Sequence, residues 1–232
     1  MDIMEVKPRM ITPIVQEIRQ LTEHVLFFIC TLPKGTDFSF VAGQYATLII
    51  DPVTRRQYSF ASPPSELPAL SFVVDTAPMG PGSQFFLRLR KGDSMQMLAP
   101  LGTFMMKDSP RKKVLVATGT GIAPFRSMLR NEISNCSLYW GLRFEKDIYW
   151  REEFEALAGQ YTGFQFSLTL SKPSAIWRGY TGHVTERMCE IEKDAGFCDY
   201  YICGGGNMIR DVVKCLSERG VKKEQILTDK YY

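Results

Sequence analysis

Short segments of alternating apolar and polar residues, separated by turn residues, fill positions 10–105 of the chain. Side chains of a β-strand point alternately to its two faces, so this period of two predicts half-buried strands. The expected strands are Met10–Ile18, Val25–Thr31, Ala46–Ile50, Gln57–Ala61, Leu70–Asp75 and Ser94–Leu98. One helix, Ser83–Leu89, is expected before the last strand. Short strands at this spacing predict a small antiparallel Greek-key β-barrel.

Beyond residue 113 the pattern changes, because continuous apolar runs alternate with segments of helical period. The predicted strands are Val114–Ala117, Ser137–Trp140, Phe164–Leu170, Tyr200–Cys203 and Ile226–Thr228. The predicted helices are Phe125–Ile133, Trp150–Leu157, Val184–Glu192 and Met208–Arg219. This alternation predicts an α/β domain, a parallel sheet covered by helices on both faces that binds ligands at the carboxyl ends of its strands. The expected organisation is a first domain over 1–106, a charged linker over 107–113 and a second domain over 114–232.

The turn after the first parallel strand is a candidate anion site. Thr118–Gly121, with sequence TGTG, follows the apolar run, and Pro124 stands where a first helical turn tolerates proline. Glycines let a backbone approach a ligand closely, and free N–H groups at a helix start attract anions. A pyrophosphate is the natural occupant. The alternative is a strand–turn–helix junction that binds nothing, because Pro124 replaces the third glycine of the dinucleotide fingerprint.

Two stretches of the first domain suit parts of a nucleotide. Arg56 and Tyr58 share one face of a predicted strand, so a guanidinium that can grip phosphate lies beside a ring that can stack. The alternative is an exposed arginine next to a half-buried tyrosine. Gly80–Ser83 places glycines before a helix, with the Ser83 hydroxyl expected to cap it. This stretch is either a second phosphate-binding turn or a plain capped helix.

Glycines also follow a strand of the second domain, at Cys203–Met208. They clear space near the Cys203 thiol, which is either a buried strand-end residue or a thiol beside a reacting carbon. The last residues, Asp229–Tyr232, contain an aromatic pair. That pair is either a packed tail or a cover for a flat cofactor.

Composition narrows the classes of function. The net charge of +3 is too small to indicate nucleic-acid binding, and no apolar run approaches the length of about 18 residues that a membrane span needs. The N-terminus has no apolar signal core, so a cytoplasmic location is expected. The six cysteines show no C-x-x-C spacing, and all but Cys203 are expected to be buried small hydrophobes in a reducing compartment. With only His24 and His183 as histidines, no metal site is expected.

In their order along the chain, these stretches resemble the ferredoxin–NADP reductase superfamily. The resemblance rests on RQYS (56–59), GPGS (80–83), GTGIAP (119–124), CGGGNM (203–208) and DKYY (229–232). GQY (43–45) and WGLR (140–143) fit the same pattern. The resemblance spans nearly the whole chain and implies a flavin-binding barrel joined to a nicotinamide-nucleotide domain. The implied activity is that of an NAD(P)H-dependent flavoprotein reductase, with hydride passing from nicotinamide C4 to flavin N5.

The resemblance also implies roles for residues of the first domain. Arg56 would hold the flavin phosphate, Tyr58 would stack on the isoalloxazine, and Ser59 would lie near its N5. The residues implied to complete the flavin site are Gln57, Gly80, Pro81, Gly82 and Ser83. The turn over 80–83 would bind the pyrophosphate of FAD, which is the implied flavin in preference to FMN.

Further roles are implied for the second domain. The residues implied to bind the nicotinamide nucleotide are Thr118, Gly119, Thr120, Gly121, Pro124, Arg143, Ser171, Cys203, Gly204 and Gly205. Cys203 would sit near nicotinamide C4, and Tyr231 or Tyr232 would shield the flavin, with Asp229 as the nearby carboxylate. The implied catalytic set is Ser59, Cys203, Asp229 and Tyr231.

The residues after the third parallel strand favour NADH over NADPH. Ser171–Pro173 and Trp177–Gly182 look more like the NADH-using branch than like the Ser-Arg and Lys-x-Tyr pairs usual around a 2′-phosphate. Because Lys172 and Arg178 can still reach a 2′-phosphate, NADPH is expected to be tolerated.

Three functions remain open from the sequence. The first is a reductase with tightly bound FAD that feeds a separate ferredoxin-like or oxygenase partner. The second is a flavin reductase that uses free flavin as its substrate, and the third is a non-autonomous electron-transfer subunit. The Gly80–Ser83 turn favours the first, because hydrogen bonds to a charged phosphate contribute on the order of 1.5–3 kcal/mol each.

Overall fold

The computed structural model describes residues 7–131, 133 and 135–231, with the backbone alone for Tyr231. The chain forms two compact units. The first comprises the residues up to 105 together with 123–131, and the second comprises 106–122 together with the residues from 132 onward. The domain boundaries expected from the sequence remain a prediction, and the units differ from them chiefly in the membership of 123–131.

The strands of the first unit form two antiparallel sheets, which confirms the antiparallel arrangement expected there. They are β1 (Arg9–Ile11), β2 (Ile14–Gln20), β3 (Val25–Thr31), β4 (Tyr45–Ile49), β5 (Arg55–Ser59), β6 (Ala69–Asp75) and β7 (Met97–Leu101). One sheet has the order β1-β7-β4-β5 and the other β2-β3-β6. Apolar side chains from both sheets share one core, in which Phe28, Leu48, Phe72 and Met97 are fully buried.

Proline decides two boundaries in this unit. The single strand expected over Met10–Ile18 is divided into β1 and β2, because Pro13 between them has no N–H to give to a sheet. The helix expected over Ser83–Leu89 begins earlier, since α1 spans Pro81–Arg88. Proline is favoured at the first helical position, where a missing N–H costs nothing.

Helix α2 (Ala123–Asn131) belongs to the first unit. Arg126 donates from Nη1 to the carbonyl oxygen of Ala61 at 3.0 Å, and the Ser127 hydroxyl donates to the carbonyl oxygen of Ser62 at 2.7 Å. Both donor side chains are buried. These bonds satisfy two carbonyls of the segment that follows β5, and so they fix α2 to the unit that contains β5.

The second unit is a parallel sheet with helices packed on it, which confirms the predicted α/β architecture. Its strands are β8 (Lys112–Thr118), β9 (Cys136–Leu142), β10 (Phe164–Leu170), β11 (Tyr180–Thr181), β12 (Cys198–Gly205) and β13 (Ile226–Tyr231), in the order β11-β10-β9-β8-β12-β13. Its helices are α3 (Arg151–Gln160), α4 (Val184–Ile191) and α5 (Gly206–Glu218). Among the described residues, no helix has the length and apolar character that crossing a bilayer requires.

Part of the stretch expected as a linker is built into the second unit. β8 begins at Lys112, and Lys113 is only 5% exposed. Its Nζ lies 3.2 Å from a carboxylate oxygen of the buried Asp199 and 2.6 Å from the Ser109 hydroxyl, which itself donates to Asp199. Burial alone raises the pKa of Asp199, but the hydrogen bonds from Ser109 and Lys113 outweigh it and hold this pKa below its ordinary value.

The expectation for the cysteines is wrong for one pair. Cys189 of α4 and Cys215 of α5 form a disulfide instead of remaining separate thiols. The two helices pack against each other, which brings together residues that lie 26 positions apart in the sequence. Local spacing therefore gives no sign of the pairing. Cys30, Cys136 and Cys198 are buried, as expected, and Cys203, for which the sequence left two alternatives, is buried too. Burial raises the pKa of the Cys30 thiol to about 12.

Candidate functional site

The first candidate site lies where β5 passes the start of α1. An ideal Cβ on Gly82 would overlap the hydroxyl oxygen of Tyr58 and lie 3.2 Å from Cγ of Arg56. Glycine at this position therefore lets the backbone of α1 approach both side chains. Because the side chains of Arg56 and Tyr58 both border Gly82, the prediction that they share one face of the strand is confirmed. The Tyr58 ring packs edge-on against Phe86 of α1 at 4.8 Å, which fixes its orientation.

The N-terminus of α1 presents backbone donors beside these side chains. Gly80 is the N-cap, Pro81 is the first helical residue, and none of the described side chains caps the helix. The N–H groups of Gly82 and Ser83 lie in the first turn, ahead of the first intrahelical bond, which the Gly80 carbonyl accepts. The expectation that Ser83 caps the helix is wrong. Ser83 stands within the helix, and its hydroxyl donates to the carbonyl oxygen of Asp75 at 3.2 Å.

The pleat of β5 separates the other residues assigned to this site. Gln57 and Ser59 lie on the side of the strand opposite to Arg56 and Tyr58. Gln57 donates from Nε2 to the Tyr45 hydroxyl at 3.1 Å, and Ser59 is buried. Gln57 therefore faces away from the cluster that Arg56 and Tyr58 form with α1.

The second candidate site is a junction of two glycine turns at the carboxyl ends of β8 and β12. The Gly205 N–H donates to Thr118 Oγ1 at 3.2 Å. A Cβ on Gly121 would overlap the carbonyl oxygen of Cys203, and a Cβ on Gly204 would overlap Thr118 Oγ1. Gly204 also has φ +142°, a conformation that other residues rarely adopt. The structure thus brings these predicted residues together, with the backbones of the two turns in direct contact.

Sequence reasoning missed two aromatic residues that hold the first of these turns. Trp140 donates from Nε1 to the carbonyl oxygen of Gly119 at 3.0 Å, and the Tyr149 hydroxyl donates to the same oxygen at 3.3 Å. The sequence drew attention to Trp140 only as part of the stretch 140–143. Nothing drew attention to Tyr149, which lies 30 positions from Gly119.

Arg143 and Ser171 occupy neighbouring strand ends. Arg143 follows β9 directly and Ser171 follows β10, and these two strands pair along their full length. The guanidinium of Arg143 lies over the Phe144 ring, 5.2 Å from its centroid. Both residues therefore lie at the carboxyl ends of the parallel strands, which is where sheets of this kind generally bind ligands. Pro124 is the second residue of α2 and so belongs to the first unit.

The remaining predicted residues lie on or next to β13. Asp229 is in register with Cys203 of β12, and Tyr231 is in register with Gly205. Cys203 is fully buried. Tyr232 lies outside the described residues, and only the backbone of Tyr231 is described, so the roles of both tyrosines stay predictions.

Two family models match the chain, an oxidoreductase FAD-binding domain over residues 13–106 and an oxidoreductase NAD-binding domain over residues 115–214. Ferredoxin–NADP reductase B of Sorangium cellulosum is 32% identical over 232 residues, covering 92% of this chain and 94% of that protein. The chain belongs to the ferredoxin–NADP reductase family. It is an NAD(P)H-dependent flavoprotein oxidoreductase that uses FAD, which confirms the predicted fold, the predicted class of activity and the expectation of FAD with a nicotinamide nucleotide.

Two further relatives are longer than this reductase, which matches only part of each of them. One subunit of the Na(+)-translocating NADH-quinone reductase of Shewanella denitrificans is 31% identical over 203 residues, which are 78% of this chain but 50% of that protein. The chain therefore spans about half the length of that relative. The Amycolatopsis cytochrome P450 reductase GcoB has a TM-score of 0.89 and 26% identity, covering 97% of this chain and 70% of that one.

Proposed function

We propose that this reductase takes hydride from NADH into a tightly bound FAD and passes the electrons to a separate ferredoxin-like or oxygenase protein. The observation that carries the proposal is the cluster of Arg56, Tyr58 and the uncapped start of α1. A guanidinium and open helical N–H groups suit a pyrophosphate, and a fixed tyrosine ring suits a flat ring system. FAD combines those two chemical parts, so the residues of this cluster fit the cofactor.

When bound, FAD supplies a hydride acceptor at N5 and returns the electrons one at a time. The residues of the chain then bind and align the two reacting rings. We assign the pyrophosphate of the dinucleotide to the backbone N–H groups of the turn over 119–121. We assign the nicotinamide ring to the side of the turn at Gly204 and Gly205, next to Cys203. Ser59 and Asp229 are assigned to the reacting edge of the flavin, and Tyr231 or Tyr232 to its exposed face.

NADH is the proposed donor because the loop after β10 is poorly arranged to receive a 2′-phosphate. Glu145, which lies just after β9, accepts hydrogen bonds from the N–H and the hydroxyl of Ser174, and this pairing lowers the pKa of Glu145, so a carboxylate is held against the loop. Arg178 donates to the carbonyl oxygens of Ala175 and Trp177 within its own loop. Steady-state assays should give a higher kcat/KM with NADH than with NADPH, and the opposite order would refute this choice.

The proposed acceptor is a protein. The Sorangium relative is named for ferredoxin and the Amycolatopsis relative for cytochrome P450. The Shewanella relative is named as one subunit of a larger enzyme, and this favours a second candidate, an electron-transfer subunit that is active only in a complex.

The visible spectrum of the desalted protein tests the proposal. About one FAD per chain, with ferricyanide reduction by NADH, is the expected result for an autonomous reductase with a bound flavin. A flavin-loaded chain that is inactive towards ferricyanide would favour the subunit. A colourless chain that oxidises NADH only when free flavin is added would refute bound FAD and indicate a flavin reductase.

Cys203→Ser tests the placement of the nicotinamide ring. We expect slower flavin reduction in stopped-flow measurements while FAD remains bound, because the thiol is assigned to contact the reacting carbon. A variant that transfers hydride at the wild-type rate would leave Cys203 with a packing role only.

A further inference from the structure

The carbonyl oxygen of Gly119 is held by two side chains at once. Trp140 Nε1 lies 3.0 Å from it and the Tyr149 hydroxyl oxygen lies 3.3 Å from it. Gly119 itself has φ +53°, a left-handed conformation that glycine adopts without strain. Two donors from separate parts of the second unit therefore fix one peptide group in the turn assigned to the nucleotide.

The two donors are rigid. Trp140 is fully buried, and its ring meets those of Tyr149 and Phe154 edge-to-face at 4.9 Å and 6.1 Å. The ring of Trp150 packs edge-on against Tyr149 at 5.1 Å. Each aromatic side chain thus has neighbours that fix its direction, and a donor that cannot turn away holds its acceptor in one orientation.

We propose that Trp140 and Tyr149 are positioning residues for the nicotinamide nucleotide, acting through the Gly119–Thr120 peptide group. In a trans peptide the C=O and the following N–H point in opposite directions. Holding the Gly119 carbonyl towards the aromatic pair therefore turns the Thr120 N–H to the opposite side of the turn, where the dinucleotide pyrophosphate is assigned. This inference rests on the proposed function, because it needs the turn to bind that pyrophosphate.

A positioning role separates these residues from catalytic ones. Neither side chain needs to touch the nucleotide, and neither takes part in hydride transfer. Removing a donor should therefore weaken nucleotide binding and leave the chemical step unchanged. It should also have no effect on a hydride donor that lacks phosphate, since no pyrophosphate is then present to be bound.

The test compares Tyr149→Phe, Trp140→Phe and the double variant with wild type in ferricyanide assays. The matched control is Tyr200→Phe, which removes another buried hydroxyl that donates to a backbone carbonyl, that of Ala195 at 3.2 Å. We expect each single variant to raise the KM for NADH about three- to tenfold at unchanged kcat, with the double variant above both. Tyr200→Phe should leave the KM unchanged.

Reduced nicotinamide riboside, which has no phosphate, is the second substrate in the test. Its kcat/KM should be the same in all variants, whereas general damage to the unit would lower it together with that of NADH. If the KM for NADH does not rise in Tyr149→Phe, or if the efficiencies of both donors fall together, the inference is refuted. A wild-type protein that does not oxidise NADH would instead refute the proposed function. Should Trp140→Phe fail to fold, the nearly isosteric Tyr149→Phe decides alone.

Discussion

Gly82→Ala should release FAD by displacing the ring assigned to stack on it. The added Cβ would lie closer than 3.0 Å to the Tyr58 hydroxyl oxygen, and the edge-on contact with Phe86 at 4.8 Å hinders the ring from tilting away. Overpacking of this kind costs about 1–3 kcal/mol, and alanine returns up to about 1 kcal/mol through its helix propensity. The free energy of unfolding should therefore fall by no more than about 3 kcal/mol, and the fold should survive.

The same overlap should weaken the binding of FAD. Relieving the overlap moves the Tyr58 ring and the start of α1 relative to each other. A hydrogen bond to a charged phosphate contributes about 1.5–3 kcal/mol, so misplacing one donor of α1 in this way raises the dissociation constant of FAD by about ten- to a hundredfold. The assay is titration of free FAD with apoprotein, followed by the quenching of flavin fluorescence. The flavin-to-protein absorbance ratio after desalting gives an independent value.

Two matched variants make this prediction refutable. Gly80→Ala changes the same turn, but apart from its two chain neighbours its Cβ would have no atom of the described residues within 4 Å, so it should retain FAD better than Gly82→Ala. Adding Tyr58→Phe to Gly82→Ala removes the overlapping oxygen and leaves Cζ at 3.4 Å, an ordinary contact, so the double variant should recover affinity. A double variant that binds FAD no better than Gly82→Ala would show that displacement of Tyr58 is not the cause.

Two further predictions concern the second unit. Thr118→Val removes the acceptor of the Gly205 N–H and should raise the KM for NADH about threefold in steady-state assays, with FAD retained; an unchanged KM would limit Thr118 to packing. Asp199→Asn leaves Lys113 without its carboxylate and should lower the free energy of unfolding by about 3–5 kcal/mol at pH 7. The pKa of Asp199 is lower in the folded protein than in the unfolded chain, where it is about 4. The stabilisation by the Asp199 carboxylate is therefore fully present above about pH 4 and is lost as the pH falls through the folded pKa. The difference in unfolding free energy between wild type and Asp199→Asn should accordingly shrink below about pH 4. Urea titrations at several pH values would contradict this if the difference stayed constant.

Whether a feature could be predicted from the sequence depends on how far apart along the chain the interacting residues lie. Arg56 and Tyr58 share a face because a strand alternates its side chains, and this is a local rule. The alternation of apolar runs with helical segments likewise predicted the parallel sheet. The prediction that Ser83 caps the helix is wrong because Pro81, whose residue type marks the first helical position, places Ser83 inside the helix.

Contacts between distant residues were beyond this reasoning. The hydrogen bond between Thr118 and Gly205 spans 87 positions, and the disulfide joins residues on two helices. Tyr149 contacts Gly119 because β9 pairs in parallel with β8, so the segment after β9 lies near the carboxyl end of β8. The sequence could name the glycines that we assign to the nucleotide, but the side chains proposed to orient them are brought close only by folding.

The membership of α2 limits how chimaeras of this reductase can be built. A donor sequence spliced in from residue 114 onward would replace α2, and with it Arg126 and Ser127, the buried donors to the carbonyls of Ala61 and Ser62. Each carbonyl left unsatisfied would cost about 1–3 kcal/mol. Nucleotide preference is therefore best exchanged with crossovers on both sides of 123–131, so that the recipient keeps its own helix and receives only the sheet and the loops assigned to the dinucleotide.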